Sequence, residues 1–166
     1  MSEPDYNSLR LQNQLCFPLY LCSKELIKKY GPLLKKLDLT YTQYAVMLYL
    51  WEHQSGSVTD LCRVLLLNTN TLSPLLQKLE QKGYIEHKRD KKDGRGVKIQ
   101  LTKRGFDLRD EALSVPCAMQ KCISLSDEDV ETLYRLLYKV LFNIEGANHE
   151  NNWRNKSQFQ ERSSTE

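Results

Sequence analysis

The sequence predicts a mainly α-helical chain carrying one small β-hairpin. Apolar residues recur at spacings of three and four along most of the 166 residues, in segments that open on Ser, Thr or Asn. Between Tyr84 and Leu101 the period falls to two around a charged turn. The positive charge gathers in the same stretch. Residues 82–104 hold nine bases (Lys82, Lys88, Arg89, Lys91, Lys92, Arg95, Lys98, Lys103, Arg104) against three acids (Glu86, Asp90, Asp93), a local net of +6. The other 143 residues hold 15 bases and 18 acids, so the whole-chain +3 is a basic segment on an acidic background. Phosphates repay bound cations with released counterions, and a polyanion partner is expected.

Taken in order, Asn7 or Ser8 opens a long first helix carrying Leu9, Leu15, Leu19, Leu26 and Ile27. It is expected to kink at Pro18 and to stop at Gly31-Pro32. Thr40 and Gln43 form a capping box for a second helix with Tyr44, Val46, Met47, Leu48, Leu50 and Trp51, ending in the turn Gln54-Ser55-Gly56. Ser57 with Asp60 starts a short helix through Leu61, Val64 and Leu65. Asn68 caps the next, from Thr69 to Lys82, which Gly83 stops. Strands follow at Tyr84–His87 and Gly96–Leu101, joined by the turn from Arg89 to Arg95. Two helices across a tight turn followed by a hairpin make a winged helix-turn-helix. Thr102 caps a helix through Phe106, Leu108 and Leu113 that breaks or bends at Val115-Pro116. Ser126 with Asp129 opens the last helix, striped by Val130, Leu133, Leu136, Leu137, Val140, Leu141 and Ile144.

The expected organisation is an arm (1–8), N-terminal dimerisation helices (9–39), a winged module (40–103), C-terminal dimerisation helices (104–146) and a polar, disordered tail (147–166). A module of about sixty residues cannot cover the outer helices by itself. A second copy, related by a two-fold axis, is the economical partner.

Composition excludes several classes. Five cysteines without a CxxC pair argue against a disulfide scaffold, structural zinc and thioredoxin-like chemistry. The first twenty residues carry acids and amides where a signal peptide needs bases and an apolar run, and no stretch reaches the roughly 18 apolar residues of a membrane span. A cytoplasmic protein with reduced thiols, no membrane contact, no metal and no cofactor is expected.

On the helix from Thr69, the leucines at 72, 75, 76 and 79 face the core. Thr69, Asn70, Thr71, Ser73 and Gln77 are left for a DNA groove, where amides and hydroxyls reach phosphates and base edges. Pro74 forfeits a backbone bond there. Lys78, Lys88, Arg89 and Lys98 are general phosphate contacts. Arg95, with Lys91 and Lys92, is placed to enter a minor groove or grip its phosphates.

Asp93-Gly94-Arg95, followed by Val97-Lys98-Ile99-Gln100-Leu101-Thr102-Lys103-Arg104-Gly105, resembles the wing signature of the MarR family of winged-helix transcription regulators. Asn13-Gln14-Leu15-Cys16-Phe17-Pro18-Leu19-Tyr20, Tyr30, Gly31-Pro32-Leu33-Leu34 and Leu39-Thr40-Tyr41-Thr42-Gln43-Tyr44 are similar to its organic-hydroperoxide-sensing branch. The likeness spans residues 9–145. It implies a homodimeric repressor on a pseudo-palindromic double-stranded operator, with Asp93 structural in the wing. It also implies that Cys16 senses organic peroxides, with Tyr30 and Tyr41 of the opposing subunit donating to its thiolate. A thiolate with two phenolic donors is stabilised and reacts with peroxide to a sulfenic acid. A resolving cysteine comes from the region of Cys122 or Cys117 in the branch's two-cysteine subgroup, Cys122 being the first choice. Otherwise a small thiol closes the mixed disulfide.

Cys22 lies about 240° around a helix from Cys16 and cannot bridge to it. Cys62 is read as structural. Two other readings stand beside this one: a regulator binding a small phenolic or drug-like ligand in a dimer cleft with Cys16 merely packed, and a thiol peroxidase. The second is poorly supported, because no redox-spaced second thiol and no nearby Arg accompany Cys16.

Overall fold

The computed structural model describes residues 6–89 and 97–145. Lys91, Lys92, Asp93 and Arg95 at the hairpin tip, and the tail 147–166, lie outside the described residues. Two short 3-10 turns, Tyr6–Leu9 and Leu11–Asn13, precede seven helices: α1 Cys16–Lys35, α2 Tyr41–His53, α3 Val58–Leu65, α4 Thr69–Gln81, α5 Lys103–Ala112, α6 Ser114–Ile123 and α7 Asp127–Glu145. Strands β1 Ser55–Ser57, β2 Ile85–Arg89 and β3 Val97–Leu101 form one antiparallel sheet in the order β1-β3-β2. The chain divides into two compact units, Met1–Lys121 and Cys122–Glu166.

The first helix departs from expectation at both ends. It begins at Cys16 rather than near Leu9, so Pro18 is its third residue, where a backbone N–H has no helical partner to lose and no kink follows. It also runs through Gly31-Pro32 to Lys35. A residue before proline is normally driven out of the helical region by a clash with its Cβ, and Gly31 has none. The true stop is Asp38 at φ 52°, with Leu39 N–H donating to the Leu34 carbonyl (2.9 Å) and Asp38 N–H to that of Lys35 (3.2 Å). This is a Schellman cap, and its two leucines, Leu34 and Leu39, are both buried in the core.

The expected caps are present. Thr40 Oγ1 accepts from Gln43 N–H (3.3 Å), and Gln43 Oε1 accepts from Thr40 N–H (3.0 Å). Ser57 accepts from Asp60 N–H (3.0 Å) and Thr102 from Gly105 N–H (3.0 Å). Ser126 accepts from Asp129 N–H (3.2 Å). The Gln54-Ser55-Gly56 turn is only half as expected. Gln54 is left-handed (φ 62°), but Ser55–Ser57 pairs with Lys98–Gln100 as a third strand. The helix after the wing breaks at Leu113, ahead of Val115-Pro116, and Pro116 falls in the first turn of α6, where its missing donor is harmless.

The core of the first unit joins α1, α2, α3, α4 and the sheet through Leu34, Met47, Leu50, Leu61, Leu76 and Ile99 among others. Deletion of such a leucine typically costs 2–5 kcal/mol. At the junction of α4 with β2, Gly83 (φ 72°) turns the chain, Tyr84 N–H closes on the Leu79 carbonyl (3.0 Å), and Tyr84 Oη donates to the Leu37 carbonyl (3.2 Å). Gly105 packs so tightly here that a Cβ would stand 1.9 Å from the Tyr84 carbonyl oxygen. In the second unit, α7 keeps Leu133, Leu136 and Leu137 each more than two-fifths exposed.

Candidate nucleic-acid interface and thiol site

Asn68 builds the start of α4: its Oδ1 accepts from the N–H (2.8 Å) and the hydroxyl (2.9 Å) of Thr71. Thr69, Asn70, Thr71, Gln77 and Lys78 are exposed along the helix, while Ser73 is half-buried between Leu72 and Leu76. Pro74 removes the helical bond the Asn70 carbonyl would accept, so the outer face of the first two turns carries an extra acceptor. Leu72, Leu76 and Leu79 are buried, and Leu75 is half-buried. The polar side is thus held outward by a leucine-packed inner side.

In the wing, register sets Lys88 directly opposite Lys98 and Glu86 opposite Gln100 on one face, with Ile85 and Ile99 on the other. Like charges opposed across a ladder are unfavourable unless an anion comes between them. Lys88 Nζ lies 2.7 Å from Glu86 Oε1. At the wing's base His87 Nδ1 pairs with Glu80 Oε1 of α4 at 2.8 Å, a link the sequence reading missed. That hydrogen bond holds the Glu80 carboxyl below its ordinary range.

Cys16 is the exposed first residue of α1. Its sulfur makes no hydrogen bond among the described residues. Tyr30 is 14 positions further along the same helix, about 21 Å up its axis, so the two cannot meet within one chain. Tyr30 and Tyr41 do meet: their ring centroids are 5.0 Å apart, and Tyr44 stands 6.1 Å from Tyr30. Burial, with Tyr41 beside it, raises the Tyr30 phenol, and Tyr44 is pushed up to about 12 by burial and then by Tyr30 and Tyr41. The Tyr30 and Tyr44 phenols therefore stay protonated at physiological pH.

All five cysteines are free; Cys22, Cys117 and Cys122 are exposed. Cys62 is half-buried against the core, its sulfur 3.8 Å from the Thr69 hydroxyl. Among the described residues no group of three or more His, Cys, Asp or Glu could hold a metal ion, and no helix is long and apolar enough to cross a membrane. One open groove, beside α5, is lined by the charged residues Lys36, Asp38, Lys103, Arg104, Asp107 and Glu111 together with Leu37, Tyr84 and Leu108.

Residues 28–112 match the family model described as transcriptional regulator SarA/Rot. The organic hydroperoxide resistance transcriptional regulator of Bacillus subtilis is 40% identical over 146 residues, 88% of this chain and 99% of that one. The chain belongs to the SarA/Rot family of MarR-type transcription regulators. Solved members of the MarR type share the architecture. AbfR of Staphylococcus epidermidis is 34% identical with a TM-score of 0.68, covering 84% of this chain and 97% of its own. Reduced AbfR bound to DNA matches at TM-score 0.69 and 32% identity over 86% and 100%. Disulfide-formed AbfR matches at 0.59 and 35% over 84% and 95%. The reduced form of MarR from E. coli is 26% identical with a TM-score of 0.64, covering 77% and 96%. In this SarA/Rot-family chain the matched stretch takes in the winged module with its leucine-packed α4. Cys16 lies ahead of the stretch the family model matches.

Proposed function

We propose that this regulator binds a pseudo-palindromic operator as a homodimer and releases it when organic peroxide oxidises Cys16. The observation that carries the reading is the arrangement of Cys16 and its phenols. An exposed thiol at the start of α1 lies about 21 Å from a packed Tyr30–Tyr41 pair in its own chain. Only a second copy can bring the two together. The B. subtilis relative is named for organic hydroperoxide resistance, and AbfR is solved both reduced on DNA and with a disulfide formed.

In this reading Thr69, Asn70, Thr71, Ser73, Gln77 and Lys78 enter the major groove. Lys88, Arg89 and Lys98 hold phosphates, and Lys91, Lys92 and Arg95 reach the minor groove from a tip shaped by Asp93. The exposed apolar side of α7 supplies part of the two-fold interface, and the two α4 helices stand about 34 Å apart, one turn of duplex. Chemically, the Cys16 thiolate attacks the outer peroxide oxygen, the O–O bond breaks, and alcohol leaves once protonated, giving the sulfenic acid. Condensation with a second thiol then expels water. That thiol is Cys122 or Cys117 of the other copy, or a small cellular thiol in the cytoplasm.

Operator affinity of wild-type and Cys16→Ser proteins, before and after one equivalent of cumene hydroperoxide, tests this. Loss of affinity in the wild type alone is expected. A Cys16→Ser variant that still releases DNA, or a wild type that does not, refutes it.

A further inference from the structure

We propose that Trp51 is the positioning residue that couples the Tyr30–Tyr41 pair to the DNA-reading elements, resting on the peroxide-responsive reading above. The rings form an unbroken series. Tyr30 on α1 touches Tyr44 on α2 (centroids 6.1 Å), and Tyr44, only 4% exposed, meets Trp51 edge to face (6.1 Å, 68°). Trp51 Nε1 then leaves α2 and donates to the Gly105 carbonyl of α5 at 2.8 Å.

What makes Gly105 a meaningful end point is the chain behind it. Its backbone is pressed against the Tyr84 carbonyl, with no room for a Cβ. The same carbonyl accepts from Thr102 N–H (3.1 Å), and Thr102 Oγ1 also donates to the Gly83 carbonyl (2.6 Å). Tyr84 lies between the Gly83 turn that ends α4 and Ile85, the first residue of β2. A displacement delivered to Gly105 therefore reaches the base of the reading helix and the root of the wing together.

Close-packed interiors shift as discrete arrangements and do not absorb small displacements, so removal of a phenol's partner at the surface moves the rings beneath it. A backbone acceptor held by one indole N–H gives this series a definite direction and a removable joint.

The test compares Trp51→Phe with wild type. The reduced variant should bind operator within about twofold of wild type, and Cys16 should react with cumene hydroperoxide at the wild-type rate. The fall in operator affinity on oxidation should shrink at least tenfold. A merely structural role would lower thermal stability and leave that fall intact. Tyr44→Phe, which keeps the ring, retains the full fall; Tyr44→Leu, which removes it, loses the fall. A full fall in Trp51→Phe, or in Tyr44→Leu should the tryptophan variant not fold, overturns the relay alone. No fall in the wild type overturns the thiol-sensing reading and the relay with it.

Discussion

Gly105→Ala puts the close approach of α5 to the Tyr84 carbonyl to a quantitative test. The added Cβ would stand 1.9 Å from the Tyr84 oxygen and 2.8 Å from its carbonyl carbon. An ordinary carbon–oxygen approach is about 3.3 Å, so α5 and the start of the wing must separate by more than about 1 Å. The obstacle is backbone that Thr102 and the α4 cap hold in place, so no side chain can rotate to relieve the clash. Overpacking of this kind costs about 3 kcal/mol, the upper end of its usual range. Replacing a helical glycine by alanine returns about 1 kcal/mol through helix propensity. The net is a loss of about 2 kcal/mol, or a fall in Tm of about 4–8 °C for a chain of this size. Circular dichroism melts at one fixed protein concentration measure it, since dimerisation makes Tm concentration-dependent. The two effects have opposite signs, which makes the outcome decisive. An unchanged or raised Tm would mean that propensity alone operates and that the contact is not as drawn.

Lys98→Ala should weaken operator binding similarly for all sequences and reduce the slope of log affinity against log salt by about 1.8, the signature of one phosphate contact from each of the two copies; an unchanged slope removes Lys98 from the interface. Tyr44 is protonated in the folded chain up to about 12 but ionises near 10 when unfolded, so stability is present below pH 10 and lost as pH rises from 10 toward 12. A Tyr44→Phe variant should show a shallower decline of Tm over that window, and equal slopes would contradict the assignment. Glu80 has the reverse sign: its carboxyl, bonded by His87, is held below its ordinary 4.5, so its contribution is present above that value and lost as pH falls through the lowered one. Thermal melts of Glu80→Gln should therefore be less acid-sensitive than wild type below pH 4.5, and parallel curves would mean the pair is not formed. Leu137→Asp on the exposed side of α7 should yield monomers in sedimentation analysis; dimers of wild-type strength would place the interface elsewhere.

The caps at Thr40, Ser57, Asn68, Thr102 and Ser126 were legible because each is a bond between side chain and backbone three residues apart, a spacing visible in one dimension. Strand β1 was not. Ser55-Gly56-Ser57 has no alternation of its own and becomes a strand only because Lys98–Gln100 lies beside it. The run of α1 through Gly31-Pro32 is hidden from local pattern because proline ordinarily breaks a helix, and only the missing Cβ of the preceding glycine relieves the clash. At the site, helical periodicity alone separated the exposed Thr69, Asn70 and Thr71 from the buried leucines. Glu80–His87 and Trp51–Gly105 join residues 7 and 54 positions apart through tertiary packing, and no local pattern marks them. Tyr30 and Tyr41 carry no local signal beyond the family likeness, and their contact across α1 and α2 exists only in three dimensions.

The central claim joins one thiol to one binding event, and a titration on a single sample tests it most directly. Reduced protein is treated with increasing cumene hydroperoxide at fixed salt, and each point is divided between an operator-affinity measurement and peptide mapping of all five cysteines. The account predicts that the fraction of DNA released follows the fraction of Cys16 oxidised. Cys16 fully oxidised with the operator still bound, or DNA released while Cys16 remains reduced, would contradict it.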